Sequence, residues 1–264
     1  MLNVLGLCFG IGGIELGLHR TGGFRTVCYV EKDPWCVATT ISRIRDGLLC
    51  DAPIWTDLKT FNGGPWRGVV DCITSGFPCQ PVSVAGKRLG EEDERWLWPD
   101  ILRVICEVRP RIVLLENVPG LLVSGLGRVL GDLAESGYDC QWDIISAESV
   151  GAPHFRNRLF LVAHPTGEGR QGVLRNYSET GVEAPAGWPP TPFNSSSDAS
   201  SWLARVGVDE SPIYGNGDGL SHSVDRLRAL GNAVVPQVAE AVGYMILEWI
   251  GHDTAPTERG HGGP

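Results

Sequence analysis

Apolar runs and helix-spaced apolar stripes alternate along the first 163 residues of the chain. Residues 2–7 form a short apolar run that ends at the glycine-rich turn Gly10-Ile-Gly-Gly13, and a helical stretch follows to about Arg20. Residues 26–30 predict a second strand, ending at Glu31. Pro34 suits the first turn of a helix that runs to about Arg45. Residues 69–74 read as a third strand. Ile101, Val104, Ile105 and Val108 recur at helical spacing. Residues 111–116 carry the unbroken apolar run Ile112-Val-Leu-Leu115, as in a strand buried on both faces of a parallel sheet. Leu126, Leu130 and Leu133 mark another helix, and residues 158–163 a further strand. This alternation predicts an α/β fold, a Rossmann-like sheet with helices on both faces.

The pattern breaks at residue 164. Residues 164–223 are rich in Gly, Ser, Pro and Asn, with tracts such as Gly187-Trp-Pro-Pro-Thr-Pro192, and predict little regular structure. Order returns at Val224, and Val238, Val242, Met245 and Trp249 form a helical stripe. The expected organisation is one domain from residues 1–163 and 224–251, a small irregular insert at 164–223, and a disordered tail at 252–264.

Composition adds constraints. With 264 residues, 42% hydrophobic and 20% charged, the chain can bury a core without staples. No apolar run approaches the roughly 20 residues that span a bilayer. The opening residues lack a basic segment and a small-residue cleavage site, so a cytoplasmic protein is expected. None of the eight cysteines forms a CxxC pair, and no zinc site or other metal is expected. Cys28, Cys72 and Cys106 fall in apolar segments and read as buried free thiols. The net charge of −9 counts against a nucleic-acid partner but is only an average. Lys87, Arg88, Arg95, Arg103, Arg109 and Arg111 cluster in sequence, interrupted by the acidic run 91–94.

Two loops carry candidate chemistry. A strand, the turn Phe9-Gly-Ile-Gly-Gly13, a helix and then Glu31 form a nucleotide-binding pattern. The pattern alone does not choose among a dinucleotide, a flavin and S-adenosylmethionine. The third strand runs into Ser75-Gly-Phe-Pro-Cys-Gln-Pro81, which sets Cys79 in a rigid loop at the sheet edge where ligands of open α/β sheets bind. A single cysteine of this kind is more often structural than reactive.

Five segments in order resemble the cytosine-5 DNA methyltransferase family over about 190 of the 264 residues. Residues 5–18 (LGLCFGIGGIELGL) resemble its first motif, and Gly76-Phe-Pro-Cys-Gln-Pro-Val-Ser83 its nucleophile motif. Glu116-Asn-Val118 resembles its ENV motif, Gly151-Ala-Pro-His-Phe-Arg-Asn-Arg158 its QxRxR motif, and Arg228-Ala-Leu-Gly-Asn-Ala-Val-Val-Pro236 its last motif. ENV or GNAV alone would say little; the ordered set is specific.

The resemblance implies a reaction and a partner. Carbon 5 of cytosine is a poor nucleophile until a thiolate adds at carbon 6. A free thiol is only about 3% ionised at pH 7 for a pKa near 8.5, so the loop must favour the thiolate. Cys79 is the implied nucleophile. Glu116 is the implied donor to N3, which requires a proton and hence a raised pKa. Arg158, with Arg156, is implied to hold O2 of the base. The target lies inside double-stranded DNA, so the family flips the base out, and the loop at 82–96 closes over it, with Gly86 and Gly90 as candidate hinges. The cofactor is implied to be S-adenosylmethionine, leaving as S-adenosylhomocysteine. It would be held by Phe9, Gly10, Ile11, Gly12 and Gly13, by Glu31 at the ribose, by Asp57 at the adenine amine, by Pro78 and Leu97, and by Asn232 and Ala233 at the methionine end.

Three departures from the family pattern matter. Cys8 stands where the first motif usually has an aromatic residue, with Phe9 one place later and Trp35 as a candidate replacement. His154 stands where QxRxR has glutamine. Only about 60 residues, 164–223, are available for target recognition between QxRxR and the last motif, so a reduced target-recognition region is expected. The consequence is a short recognition sequence, weak selectivity or dependence on a partner protein, in a chain that is monomeric when free. Arg170, Arg175, Arg205, Arg226 and Arg228 are its candidate DNA contacts, and Trp188 and Trp202 read as core residues, with contact to bases as the alternative. The competing readings are an RNA cytosine-5 methyltransferase, a catalytically silent DNA-binding relative, and a dinucleotide enzyme that would leave the PCQ and ENV segments unexplained. Restriction-modification is the expected setting.

Overall fold

A computed structural model describes residues 1–78, 96–123, 125–152, 156–167, 173–174 and 233–251. Among these, the strands are β1 (Leu2–Leu7), β2 (Phe24–Val30), β3 (Ile54–Trp55), β4 (Cys72–Ser75), β5 (Ile112–Asn117), β6 (Tyr138–Ile145) and β7 (Arg158–Pro165). The helices are α1 (Gly13–Arg20), α2 (Pro34–Arg45), α3 (Trp98–Val108), α4 (Leu126–Glu135) and α5 (Pro236–Gly251). The strands form one mixed sheet in the order β3-β2-β1-β4-β5-β7-β6. Pairing is parallel from β3 through β5, and β7 runs antiparallel to both β5 and β6.

The buried strands sort their side chains onto two cores by simple alternation. Leu5, Ile73, Val113 and Leu161 face one way and pack with Ile101, Val104 and Ile105 of α3 and Val129 and Leu133 of α4. Val4, Cys72, Leu114 and Phe160 face the other way and pack with Ile14 and Leu18 of α1 and Val238, Val242 and Met245 of α5. Helices therefore cover both faces, and the fold is the expected Rossmann-like α/β architecture. The stripe predicted for α5 is buried throughout. The predicted start of α2 is also clear, because the Asp33 side chain accepts from the backbone N–H of Trp35 and Cys36 ahead of Pro34.

Several details differ from the sequence expectation. β4 starts at Cys72 rather than 69, because residues 64–70 form a tight turn and Val69 is exposed. β6 was not expected. It is an edge strand that carries Asp139, Gln141 and Asp143 on one side and an exposed Trp142 on the other, so its apolar alternation is weak. β7 continues through Pro165, and Val173 packs into the core on the α1 side. Cys106 is only half-buried, while Cys28 and Cys72 are buried as expected. Arg103 donates to the Phe61 and Leu58 carbonyls and pairs with Glu107, and Arg109 donates to the Ser136 carbonyl. These two arginines brace the fold rather than forming a basic face.

α1 and α5 approach closely because α1 carries glycine at the contact. A Cβ on Gly17 would lie 2.2 Å from the Pro236 carbonyl oxygen and 2.7 Å from Ala239 Cβ. Gly17→Ala is therefore expected to destabilise the fold by about 1–3 kcal/mol. Gly131→Ala, on α4 where the added methyl meets nothing within 4 Å, is expected to stabilise it by about 0.5–1 kcal/mol. Urea midpoints of the two variants check the opposite signs, and equal shifts would contradict the close packing of α1 on α5.

Candidate active site

The parallel order brings the carboxyl ends of β1, β2, β4 and β5 to one edge of the sheet, and antiparallel β7 brings its first residue to the same edge. Ligand sites of such sheets form there because each strand end releases its chain into a loop.

The glycine-rich turn follows β1. Cys8 has φ 50°, unusual for a residue with a side chain, and its N–H donates to the Val30 carbonyl. Gly10 and Gly12 have φ 60° and 79°, conformations that glycine adopts without strain. The Phe9 carbonyl accepts from Gly12 N–H at 3.0 Å, closing the turn. Space is open where a Gly10 Cβ would stand. Glu31 reaches across from the end of β2. Its Oε2 accepts from Gly10 N–H at 2.8 Å, while Oε1 accepts from the N–H groups of Lys32 and Asp33. Ile11 is buried, and its carbonyl accepts from Arg43 of α2.

The other expected cofactor residues spread along the same edge. Asp57 follows β3, and its Oδ1 accepts from Lys59 N–H, capping a short turn. Leu97 is half-buried at the start of α3. The Phe9 ring is buried against Tyr29, with centroids 4.9 Å apart, so it serves the core. Trp35 is half-buried in the first turn of α2. Pro78 is half-buried and Ala233 precedes α5.

The base of the cysteine loop is pinned at both ends. Phe77 is buried, with its ring 5.9 Å from those of Trp96 and Trp98. The Trp98 indole N–H donates to Asp132 of α4. Asn117 Nδ2 donates to the Phe77 carbonyl at 3.2 Å, which ties the end of β5 to the loop. Chain positions 78 and 96 are thereby drawn together. Cys79, the loop at 82–95 with Gly86 and Gly90, Lys87, Arg88, Arg95, His154 and Asn232 lie outside the described residues. So do Arg170, Arg175, Arg205, Arg226, Arg228, Trp188, Trp202 and the tail at 252–264.

Glu116 stands beside that loop. It is 5% exposed, and its Oε1 lies 2.9 Å from Arg158 Nε. A Cβ on Gly76 would sit 3.2 Å from Glu116 Oε2, so the loop backbone runs directly past the carboxylate. Burial raises the Glu116 pKa and outweighs the lowering by Arg158 and Arg156; the net result is about 7. The carboxyl group is thus poised to hold or release a proton near neutrality. Arg156 donates from Nε and Nη2 to the Ala233 carbonyl, at 3.2 and 2.7 Å. The structure therefore unites Glu116, Arg158 and the loop base, and turns the Arg156 guanidinium toward the segment before α5.

Two contributors had no sequence signal. Arg43 and its contact with Ile11 come from a helix surface 32 residues away. Glu15 is buried under Gly6 and accepts from Thr74 Oγ1 at 2.7 Å, a pairing 59 residues apart.

The chain matches the family model described as C-5 cytosine-specific DNA methylase over residues 2–196. It is 35% identical over 167 residues to the type II methyltransferase M.NgoMIV of Neisseria gonorrhoeae, covering 60% of this chain and 50% of that protein. It is 31% identical over 204 residues to M.CviJI of Paramecium bursaria Chlorella virus IL3A, covering 76% and 54%. The chain spans about half the length of the curated relatives it matches. Its fold is similar to that of the S. pombe Dnmt2 methyltransferase, with a TM-score of 0.61, 19% identity, and coverage of 94% of this chain and 99% of the other.

The raised pKa of Glu116 has a stability signature. Between the ordinary value of 4.5 and about 7, the folded chain keeps a proton that the unfolded chain has lost, so stability falls as pH rises through that window and levels off above it. Glu116→Gln lacks this dependence. Urea unfolding from pH 5 to pH 8 is expected to show wild type losing on the order of 2–3 kcal/mol relative to the variant. A constant difference across this range would show that the carboxyl titrates normally.

Proposed function

Because the chain belongs to the C-5 cytosine-specific DNA methylase family, we propose that it transfers a methyl group from S-adenosylmethionine to carbon 5 of cytosine in DNA. The observation that carries the reading is the buried Glu116–Arg158 pair against the loop backbone at Gly76, three residues before Cys79.

The cofactor cleft fits the group it would hold. The open space at Gly10 lets a ligand approach the turn backbone, and the Glu31 carboxylate stands at the end of β2 to accept from ribose hydroxyls. Asp57 would accept from the adenine amine, Leu97 and Pro78 would border the ring, and Asn232 and Ala233 would border the methionine end. When bound, S-adenosylmethionine supplies an electrophilic methyl on a sulfonium.

The chain's residues activate the other partner. Cys79 Sγ, as thiolate, adds to carbon 6 of a cytosine flipped out of the duplex, and the carbon 5–carbon 6 double bond opens. Glu116 gives its proton to N3, so negative charge does not accumulate on the ring. A carboxyl with a pKa of about 7 is protonated often enough to do this and weak enough to take the proton back. Arg158 holds the base through O2 while its Nε orients Glu116. Carbon 5 becomes nucleophilic. Once carbon 5 carries the methyl, its proton passes to water, the C5–H electron pair re-forms the carbon 5–carbon 6 double bond and Cys79 leaves carbon 6 as thiolate, while N3 returns its proton to Glu116. The type II methyltransferase names of the relatives point to a restriction-modification setting, and the short insert to a limited or partner-assisted recognition of sequence.

Incubation with methyl-labelled S-adenosylmethionine and duplex DNA is expected to yield 5-methylcytosine, and duplex DNA carrying 5-fluorocytosine to trap a covalent adduct on Cys79. Cys79→Ser is expected to abolish product, and Glu116→Gln to slow transfer by about 10²–10⁴-fold. Methyl transfer to RNA alone, or an active Cys79→Ser variant, would overturn the reading.

A further inference from the structure

The two arginines of the QxRxR-like segment, expected to share one role, face different partners. Arg158 Nε meets Glu116 Oε1. Arg156 sends Nε and Nη2 to a single acceptor, the Ala233 carbonyl, 77 residues further along the chain. A planar guanidinium that gives two donors to one oxygen fixes that oxygen's position more tightly than a single bond does.

What Arg156 fixes is the segment leading into α5. Its next residues abut the glycine-rich turn and the helix that follows. The Val234 carbonyl oxygen would be 2.5 Å from a Cβ on Gly13, and the Pro236 carbonyl oxygen 2.2 Å from one on Gly17. Residues 233–236 thus form a strap held by Arg156 at one end and pressed against Gly13, where the turn enters α1, and against Gly17 within α1. The arrangement keeps two guanidinium groups close together, and burial and Arg158 both lower the Arg156 pKa. Like charges held together in a half-buried place are costly, so the fold maintains the contact against repulsion.

We propose that Arg156 is a positioning residue: by holding the Ala233 carbonyl it seats the 233–236 strap on the glycine-rich turn, and so couples the cofactor cleft to the Glu116–Arg158 pair. The proposal rests on the reading of that turn as the S-adenosylmethionine site. It predicts that Arg156 acts on cofactor binding rather than on the base.

Calorimetric titration of the DNA-free chain with S-adenosylmethionine tests this, together with KM and kcat on duplex DNA. Arg156→Gln is expected to weaken cofactor binding tenfold or more and to raise the cofactor KM in step, while kcat at saturating cofactor falls less than threefold. Arg156→Lys keeps the charge but loses the two-donor fork, and is expected to weaken binding threefold to tenfold; it decides the matter alone if Arg156→Gln does not fold. The alkaline limb of the rate profile is expected to move to higher pH in Arg156→Gln, because one of the two cations that favour ionised Glu116 is gone. That shift reports the Arg156 charge at Glu116, whereas the split between cofactor KM and kcat reports the strap. Unchanged cofactor affinity in both variants, or a loss confined to kcat, would overturn the proposal. A wild-type chain that binds no S-adenosylmethionine would instead sink the cofactor reading beneath it.

Discussion

A carboxyl group buried at a strand end is the constraint on which the rest of this structure depends. Glu116 is removed from water at the edge of a hydrophobic sheet, where an isolated charge would cost several kcal/mol. Arg158 makes the burial tolerable, and it can do so only because β7 runs antiparallel to β5 and starts where β5 ends. The reversed strand is therefore part of the site's construction. A parallel strand in that place would present its carboxyl end, and the segment just before it would lie at the opposite edge.

The same edge is tightened by two backbone devices. Phe77, Trp96 and Trp98 gather the two ends of the cysteine loop into the core, and Asn117 ties the loop base to the strand that bears Glu116. On the other face, Gly13 and Gly17 of α1 let the backbone at the start of α5 come within contact distance of α1 and the end of the turn. Both devices work by close packing, so the site's geometry is set by the hydrophobic core and shares its stability.

Much of this was legible along the chain. Each core strand except β6 announced itself as an apolar run, since a strand covered on both faces has no polar alternation to display. β6 was hidden because it lies at the edge, where Asp139, Asp143 and exposed Trp142 dilute the signal. β3, only two residues long, offered no periodicity. Glu31, Glu116 and Arg158 were marked by motifs, and the structure places them along one sheet edge. Phe9 was marked as well, and its ring packs on Tyr29 at the same turn.

Local pattern and motif order, by themselves, determined the α/β class and the family and marked the candidate reactive groups, because those depend on residue type and near-neighbour spacing. The environments of those groups were decided only by tertiary structure. The raised pKa of Glu116, the different partners of Arg156 and Arg158, the Arg43 brace and the Glu15–Thr74 contact all join residues 32 to 77 positions apart. Burial and charge act through space, and only the folded sheet brings those positions together.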